Sequence, residues 1–191
     1  MKKRNRMHCA WFALAIVVGG LHGSLKGAVS PPPSLGTYIS TPNDRILNFA
    51  NSPTIYPVAS GNWSNPAIWS EGRVPSASDV VALGPGAVVT VDSTSAVADR
   101  VGVHNGAKLL FATQASTRLK VTTLFVLAGG ALEVGSAAAP IPSGVTAEIL
   151  IADKAINTSF DADRMGNGLV VLGQVTMHGA TPPRTFIRLK K

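Results

Sequence analysis

Val101-Gly-Val-His-Asn-Gly-Ala-Lys-Leu109 reads as a strand, a tight turn and a second strand, and the chain writes that arrangement repeatedly. Val81-Ala-Leu-Gly-Pro-Gly-Ala-Val-Val89 stands 20 residues earlier, and Leu124-Phe-Val-Leu-Ala-Gly-Gly-Ala-Leu132 stands 23 residues later. All three fit aliphatic-x-aliphatic-x-x-Gly-small-x-aliphatic. Period-two alternation sends every second Val, Leu or Ile to one face. The glycine supplies a positive φ or a close backbone approach in the turn. Leu169-Val-Val-Leu-Gly-Gln-Val-Thr-Met177 is a looser fourth copy that lacks a glycine at the Gly106 position. Between the third and fourth copies, Val145, Ala147, Ile149 and Ile151 alternate in the manner of another strand. Units of this length predict the rungs of a β-solenoid. Each rung offers its edges to the next, so the stack needs a cap. A β-sandwich is the rival fold. Its turns would come about every 8 to 12 residues, with no need of a recurring glycine register.

The composition agrees with a β-rich chain. Charged residues are sparse at 14%, and Val, Ala, Leu and Gly dominate the 191 residues, which disfavours long surface helices. Ser93 to Val101 is the one stretch of the mature chain with helical character, a turn or two behind a Ser or Thr cap. The net charge of +7 is uneven: residues 1–28 hold Lys2, Lys3, Arg4, Arg6 and Lys26 and no acid, which leaves 12 basic against 10 acidic residues in the rest. There is no basic stripe, and nucleic-acid binding is disfavoured.

Residues 1–28 have the pattern of a secretory signal peptide: a basic start, an apolar run from Cys9 to Leu21, and small residues up to a cleavage point after Ala28. The 13-residue run is short for a bilayer span; a retained amino-terminal anchor is the alternative, and the only membrane contact expected. Cys9 is the sole cysteine, so a cleaved chain has neither disulfide nor thiolate chemistry. Residues 29–60 form a proline-rich, irregular lead-in, with one edge strand expected near Arg45 to Phe49. Residues 61–191 are expected to form the solenoid. The fold class is therefore all-β, a short right-handed β-helix behind that lead-in.

At Gly61 to Asp79 the sequence GNWSNPAIWSEGRVPSASD places Trp63 and Trp69 six residues apart. Large aromatics close the open end of a core well; an exposed pair would instead stack on sugar rings. Asp79 and Asp92 bracket the first repeat. Paired carboxylates supply the acid and the base or nucleophile of glycosidic cleavage, although each Asp also suits an Asx-turn at a strand end. Arg73 can clamp a uronate carboxylate or pair with Glu71 or a backbone carbonyl, and Asn62 can orient a hydroxyl or amide. His104 and His178 stand far apart with no further ligand at metal spacing; His178 is expected to donate to a neighbouring rung. Asp161-Ala-Asp163 with Asn167 has the look of a calcium loop, but Met165 sits at a ligand position, so a solvated loop is expected. No metal and no cofactor is expected. Asn62-Trp-Ser and Asn157-Thr-Ser are glycosylation sequons, meaningful only in a host that glycosylates.

The chain resembles the G-eight domain, an extracellular β-rich module named for its glycines and found in fibrocystin and in hyaluronan-binding and hyaluronidase proteins. The resemblance runs from about Asn62 to Leu189. It rests on Asn62-Trp63-Ser64, Trp69, Gly72-Arg73-Val74-Pro75, Asp79-Val80, Gly86, Asp92, Gly106, Gly129-Gly130, Gly135 and Met177-His178-Gly179. It implies a secreted β-helical module, often joined to a longer β-helix, with a link to polysaccharide. In the hyaluronan-degrading branch an Asn, an Arg and two Asp are implicated, matching Asn62, Arg73, Asp79 and Asp92. Two departures stand out: Thr185-Phe186-Ile187 replaces a usual tryptophan, and the chain stops where relatives continue, so a truncated amino-terminal piece of a longer protein is expected. The functional expectation is a non-catalytic module that binds carbohydrate or caps a larger β-helical protein. A hyaluronidase-like enzyme and an adhesin or autotransporter-like segment are the alternatives.

Overall fold

The computed structural model describes residues 29–181. The expected signal peptide, and the departure at Thr185 to Ile187, lie outside them. Fourteen strands run in chain order: β1 (Tyr38–Ser40), β2 (Arg45–Leu47), β3 (Gly61–Asn62), β4 (Val80–Leu83), β5 (Val88–Val91), β6 (Ala96–Val97), β7 (Arg100–Val103), β8 (Lys108–Phe111), β9 (Thr117–Val121), β10 (Thr123–Val126), β11 (Ala131–Val134), β12 (Ala147–Ile151), β13 (Leu169–Val171) and β14 (Gln174–Met177). Among the described residues, helix is confined to a short 3-10 turn at Pro66–Ile68.

Twelve of these strands build three parallel sheets. The first has the order β13-β10-β7-β4, the second β14-β11-β8-β5-β3 and the third β12-β9-β6. Each full rung gives one strand to each sheet: β4-β5-β6, then β7-β8-β9, then β10-β11-β12. The rung-to-rung register is the one spelled by the repeats, with Val81 beside Val101 and Val101 beside Leu124. The arrangement is all-β and β-helix-like.

The repeated glycines serve the expected purpose. Gly86, Gly106 and Gly129 have φ of 81°, 75° and 76°, the left-handed region that a Cβ disfavours. They also stack, Gly86 N–H donating to Gly106 and Gly106 N–H to Gly129. The fourth copy departs from the alignment. Only residues 172–173 separate β13 from β14, where 127–130 separate β10 from β11, so Leu132 faces Val175 and not Met177. With the glycine missing, the chain takes a tighter corner.

Alternation sends Val81, Leu83, Val89, Val91, Val101, Val103, Leu109, Leu119, Leu124 and Leu132 into one buried core. Trp63, Ile68 and Trp69 join it at the end where β3 begins the second sheet. The helix expected at Ser93 to Val101 is absent: β6 and the start of β7 occupy that stretch. Ala96 pairs with Leu119 and is buried in the core, so the sheet ladder and burial override local propensity.

The lead-in is more ordered than its prolines suggest. β1 and β2 form an antiparallel hairpin, and Ile46, Leu47 and Phe49 pack on Phe125 and Leu127 in a second apolar cluster. Phe125 alternates with the core residues Leu124 and Val126, so this cluster covers the opposite face of the first sheet. Phe49 meets Phe125 edge-on, with ring centroids 5.9 Å apart. The backbone approaches closely here: a Cβ on Gly102 would collide with the Ala50 methyl.

Candidate functional site

Asp79 immediately precedes β4 and is buried, 4% exposed. Its carboxylate accepts from Arg73 Nη1 at 2.7 Å and Nη2 at 2.9 Å, from Ser76 N–H at 2.7 Å and Oγ at 2.6 Å, and from Thr54 Oγ1 at 2.9 Å. The Arg73 guanidinium, with Ser76 and Thr54 adding to it against the cost of burial, holds the carboxyl well below the usual carboxylate range. Thr54 and Arg73 thereby tie the lead-in and the 70–79 loop to the first rung. Glu71 is not the arginine's hydrogen-bond partner, while the Val74 carbonyl accepts from Arg73 Nη1 at 3.3 Å.

Asp92 follows β5 and accepts from Ser64 N–H at 3.0 Å and Ser64 Oγ at 2.6 Å. Asn62 lies two residues before that serine, exposed on β3 beside Thr90. The structure thus joins Arg73 to Asp79, and Ser64 to Asp92. It does not join the two acids. They stand at opposite ends of two strands that belong to different sheets, and they share no partner.

Trp63 and Trp69 are both buried, with ring centroids 5.0 Å apart and an interplanar angle of 69°. Trp69 Nε1 donates to the Trp63 carbonyl at 2.9 Å. Buried and edge-on, the rings form no flat exposed platform for a sugar; they plug the core. Their place in the core agrees with the core-closing role expected of them, and the alternative, substrate binding by Trp63 and Trp69 through stacking, is corrected on this geometry.

His104 is buried, and neither ring nitrogen has a hydrogen-bond partner; burial pushes its pKa below 6.5. His178 is exposed, and its main-chain N–H donates to Val134 in the preceding rung. Among the described residues, no three His, Cys, Asp or Glu side chains gather as a metal site would need.

A cleft that the sequence reading missed lies between a corner of the first sheet and the 152–168 loop, with a volume of about 330 Å³. Asp99 stands at the corner occupied by Asp79 one rung earlier, its N–H donating to the Asp79 carbonyl at 2.8 Å. Its carboxylate accepts from Lys154 Nζ at 2.7 Å and Thr122 Oγ1 at 3.0 Å, with Arg100 Nε at 3.4 Å. Burial works against the charged form, but Lys154, Thr122 and Arg100 outweigh it, and the Asp99 pKa is lowered. Arg100 lies over the Phe160 ring, 4.7 Å from its centroid, and its buried Nη1 has no partner. Opposite, Asp161 accepts from Met165 N–H at 3.0 Å and Gly166 N–H at 2.8 Å, while the Asn167 side chain donates to the Lys154 carbonyl. Asp161 is buried, a correction at that residue, while residues 162–164 are exposed as expected of a solvated loop. The 20-residue offset from Asp79 to Asp99 was the available signal, since it repeats that of Val81 and Val101.

A family model for the G8 domain matches residues 68–190. The chain belongs to the G8 domain family. The G-eight resemblance and this family are the same, and the family is one of extracellular modules. The match takes in Trp69, Arg73, Asp79 and Asp92 but begins after Asn62 and Trp63. Neither the curated proteins nor the solved structures provide a match to this G8 chain.

Proposed function

We propose that this G8 domain is a secreted, non-catalytic β-helical module that seals the amino-terminal end of a longer β-helix. The observation that carries this reading is the difference between its two ends. Trp63 and Trp69 close the core at the end marked by β3. At the other end, β12, β13 and β14 are the last strands of their sheets among the described residues, and Leu169, Val171 and Met177 are exposed. Parallel strands with unpaired outer edges invite another rung. The winding is right-handed on this reading, as parallel crossover connections nearly always are. Reading the coding frame past Lys191, with an intact mass of the native protein, tests the proposal. A frame continuing into further aliphatic-Gly repeats is expected; a stop codon with a matching mass would overturn it.

A second reading, carbohydrate binding, is favoured by the cleft beside Asp99, which combines carboxylates, amides and an aromatic ring. Saturable binding to a polysaccharide, without release of new reducing ends, is expected. A hyaluronidase-like reaction through Asp79 and Asp92 has less support. An Asp79 held ionised by Arg73 cannot serve as the proton donor, and Asp92 is committed to Ser64. Release of reducing ends that is lost in Asp92→Asn would favour the enzyme instead.

A further inference from the structure

We propose that the cleft between Asp99 and the 152–168 loop is a saccharide site that takes a neutral, hydroxyl-rich sugar unit and disfavours uronate or sulfated chains. The proposal rests on the carbohydrate-binding reading and adds the place and the ligand class.

The charges in the cleft are balanced before any ligand arrives. Arg100 and Lys154 stand against Asp99 and Asp161: Lys154 is hydrogen-bonded to the Asp99 carboxylate, and Arg100 Nε lies 3.4 Å from it while its partnerless Nη1 is buried away from the surface. An anionic sugar would have to draw Lys154 away from Asp99 or approach two carboxylates. Either route leaves a charge poorly compensated. A neutral sugar faces no such conflict. Carboxylate oxygens accept more than one hydrogen bond, so Asp99 and Asp161 can receive sugar hydroxyls while keeping their present partners. The exposed amide of Asn157 can donate, and the flank of Phe160 gives an apolar surface for the C–H face of a ring.

Size narrows the ligand further. At about 330 Å³ the cleft is at the small end of the range for ligand pockets, which suits one ring or a chain terminus and not a polymer lying along a groove. Asn157 also begins the Asn157-Thr-Ser sequon, so a glycan added there would obstruct the cleft. The test therefore uses protein from a host that adds no N-glycans.

The full chain is titrated calorimetrically with short gluco-, manno-, galacto- and xylo-oligosaccharides, and in parallel with hyaluronan and heparin oligosaccharides, at low and high salt. The expected result is binding of a neutral oligosaccharide with little salt dependence. That binding weakens about tenfold in Asn157→Ala, which removes a donor to the ligand, and in Asp99→Asn, which replaces a charged acceptor oxygen by an NH2 group, and is unchanged in Lys108→Ala, on the second sheet. Asn157 is exposed, so its variant keeps the fold; matching circular dichroism and melting curves check this. Preference for hyaluronan or heparin that fades with salt, or neutral binding indifferent to both cleft variants, would overturn the proposal while leaving carbohydrate binding intact. Binding of none of these saccharides would overturn both.

Discussion

Asp79 gathers five hydrogen bonds on two oxygens, and that concentration is a stability device. Asp79→Asn keeps the shape, removes the charge paired with Arg73 and misplaces a donor among donors. The expected cost is about 2 kcal/mol in chemical denaturation at neutral pH. Because the native pKa is depressed from 3.8, the wild-type contribution is present above the unfolded value and is lost as pH falls below it. The variant should lack that part of the acid limb. His104 titrates in a different window. Its native pKa lies below 6.5, so the unfolded chain binds the proton first and stability declines as pH drops beneath about 6.5. Leu127 follows β10 where His104 follows β7, and it is buried, so His104→Leu imitates the next rung. It should be neutral or stabilising at pH 7, since it removes two unpaired nitrogens, and should flatten the melting temperature between pH 5 and 6.5. The sequence placed His104 in a turn but could not show its burial, because the lead-in that packs nearby is distant in the chain. Asp79 was singled out for chemistry; its Arg73 partner was within reach of a sequence reading, whereas Thr54 was not.

At the scale of strands and turns the sequence was most legible. The offsets of 20 and 23 residues are the observed registers, because a stacked rung copies its spacing from its neighbour. Legibility failed where that copying ends. The Ser93 to Val101 stretch has helical character locally, yet the preceding and following strands force it into a rung. The fourth repeat loses both its glycine and two turn residues, an indel that an ungapped alignment hides. The turn glycines give a clean test. Gly106→Ala places a Cβ at φ 75°, and should cost about 1–2 kcal/mol. Gly36→Ala, with open space around its Cβ and no positive φ, should change stability by less than about 0.5 kcal/mol. Urea denaturation of the two variants side by side measures the difference; equal effects would mean that the left-handed turn is not what fixes glycine there.

Across the whole molecule, the three sheets are treated differently. The second and third present Lys108, Arg118, Lys120 and Glu148 outward, exposed or half-buried, and need no cover. The first carries Phe125, Leu127, Val170 and Leu172 on its outer side, and the lead-in hairpin covers them. Six prolines between residues 31 and 57 made this segment look like a linker, and nothing local in it announces a docking surface. The clue sits on the other partner: Gly102 stands between Val101 and Val103 where the Ala50 methyl comes close. Gly102→Val should therefore act on the docking and spare the solenoid, since the new side chain points outward from the core. Hydrogen exchange read by mass spectrometry is expected to speed up in residues 29–50 while β8, β9 and β11 keep their protection. An apolar dye should bind the newly uncovered face of β10 and β13. Uniform loss of protection through every rung would mean that the hairpin is part of one cooperative unit with the solenoid. Unchanged exchange in the hairpin would mean that its position does not depend on the missing Cβ.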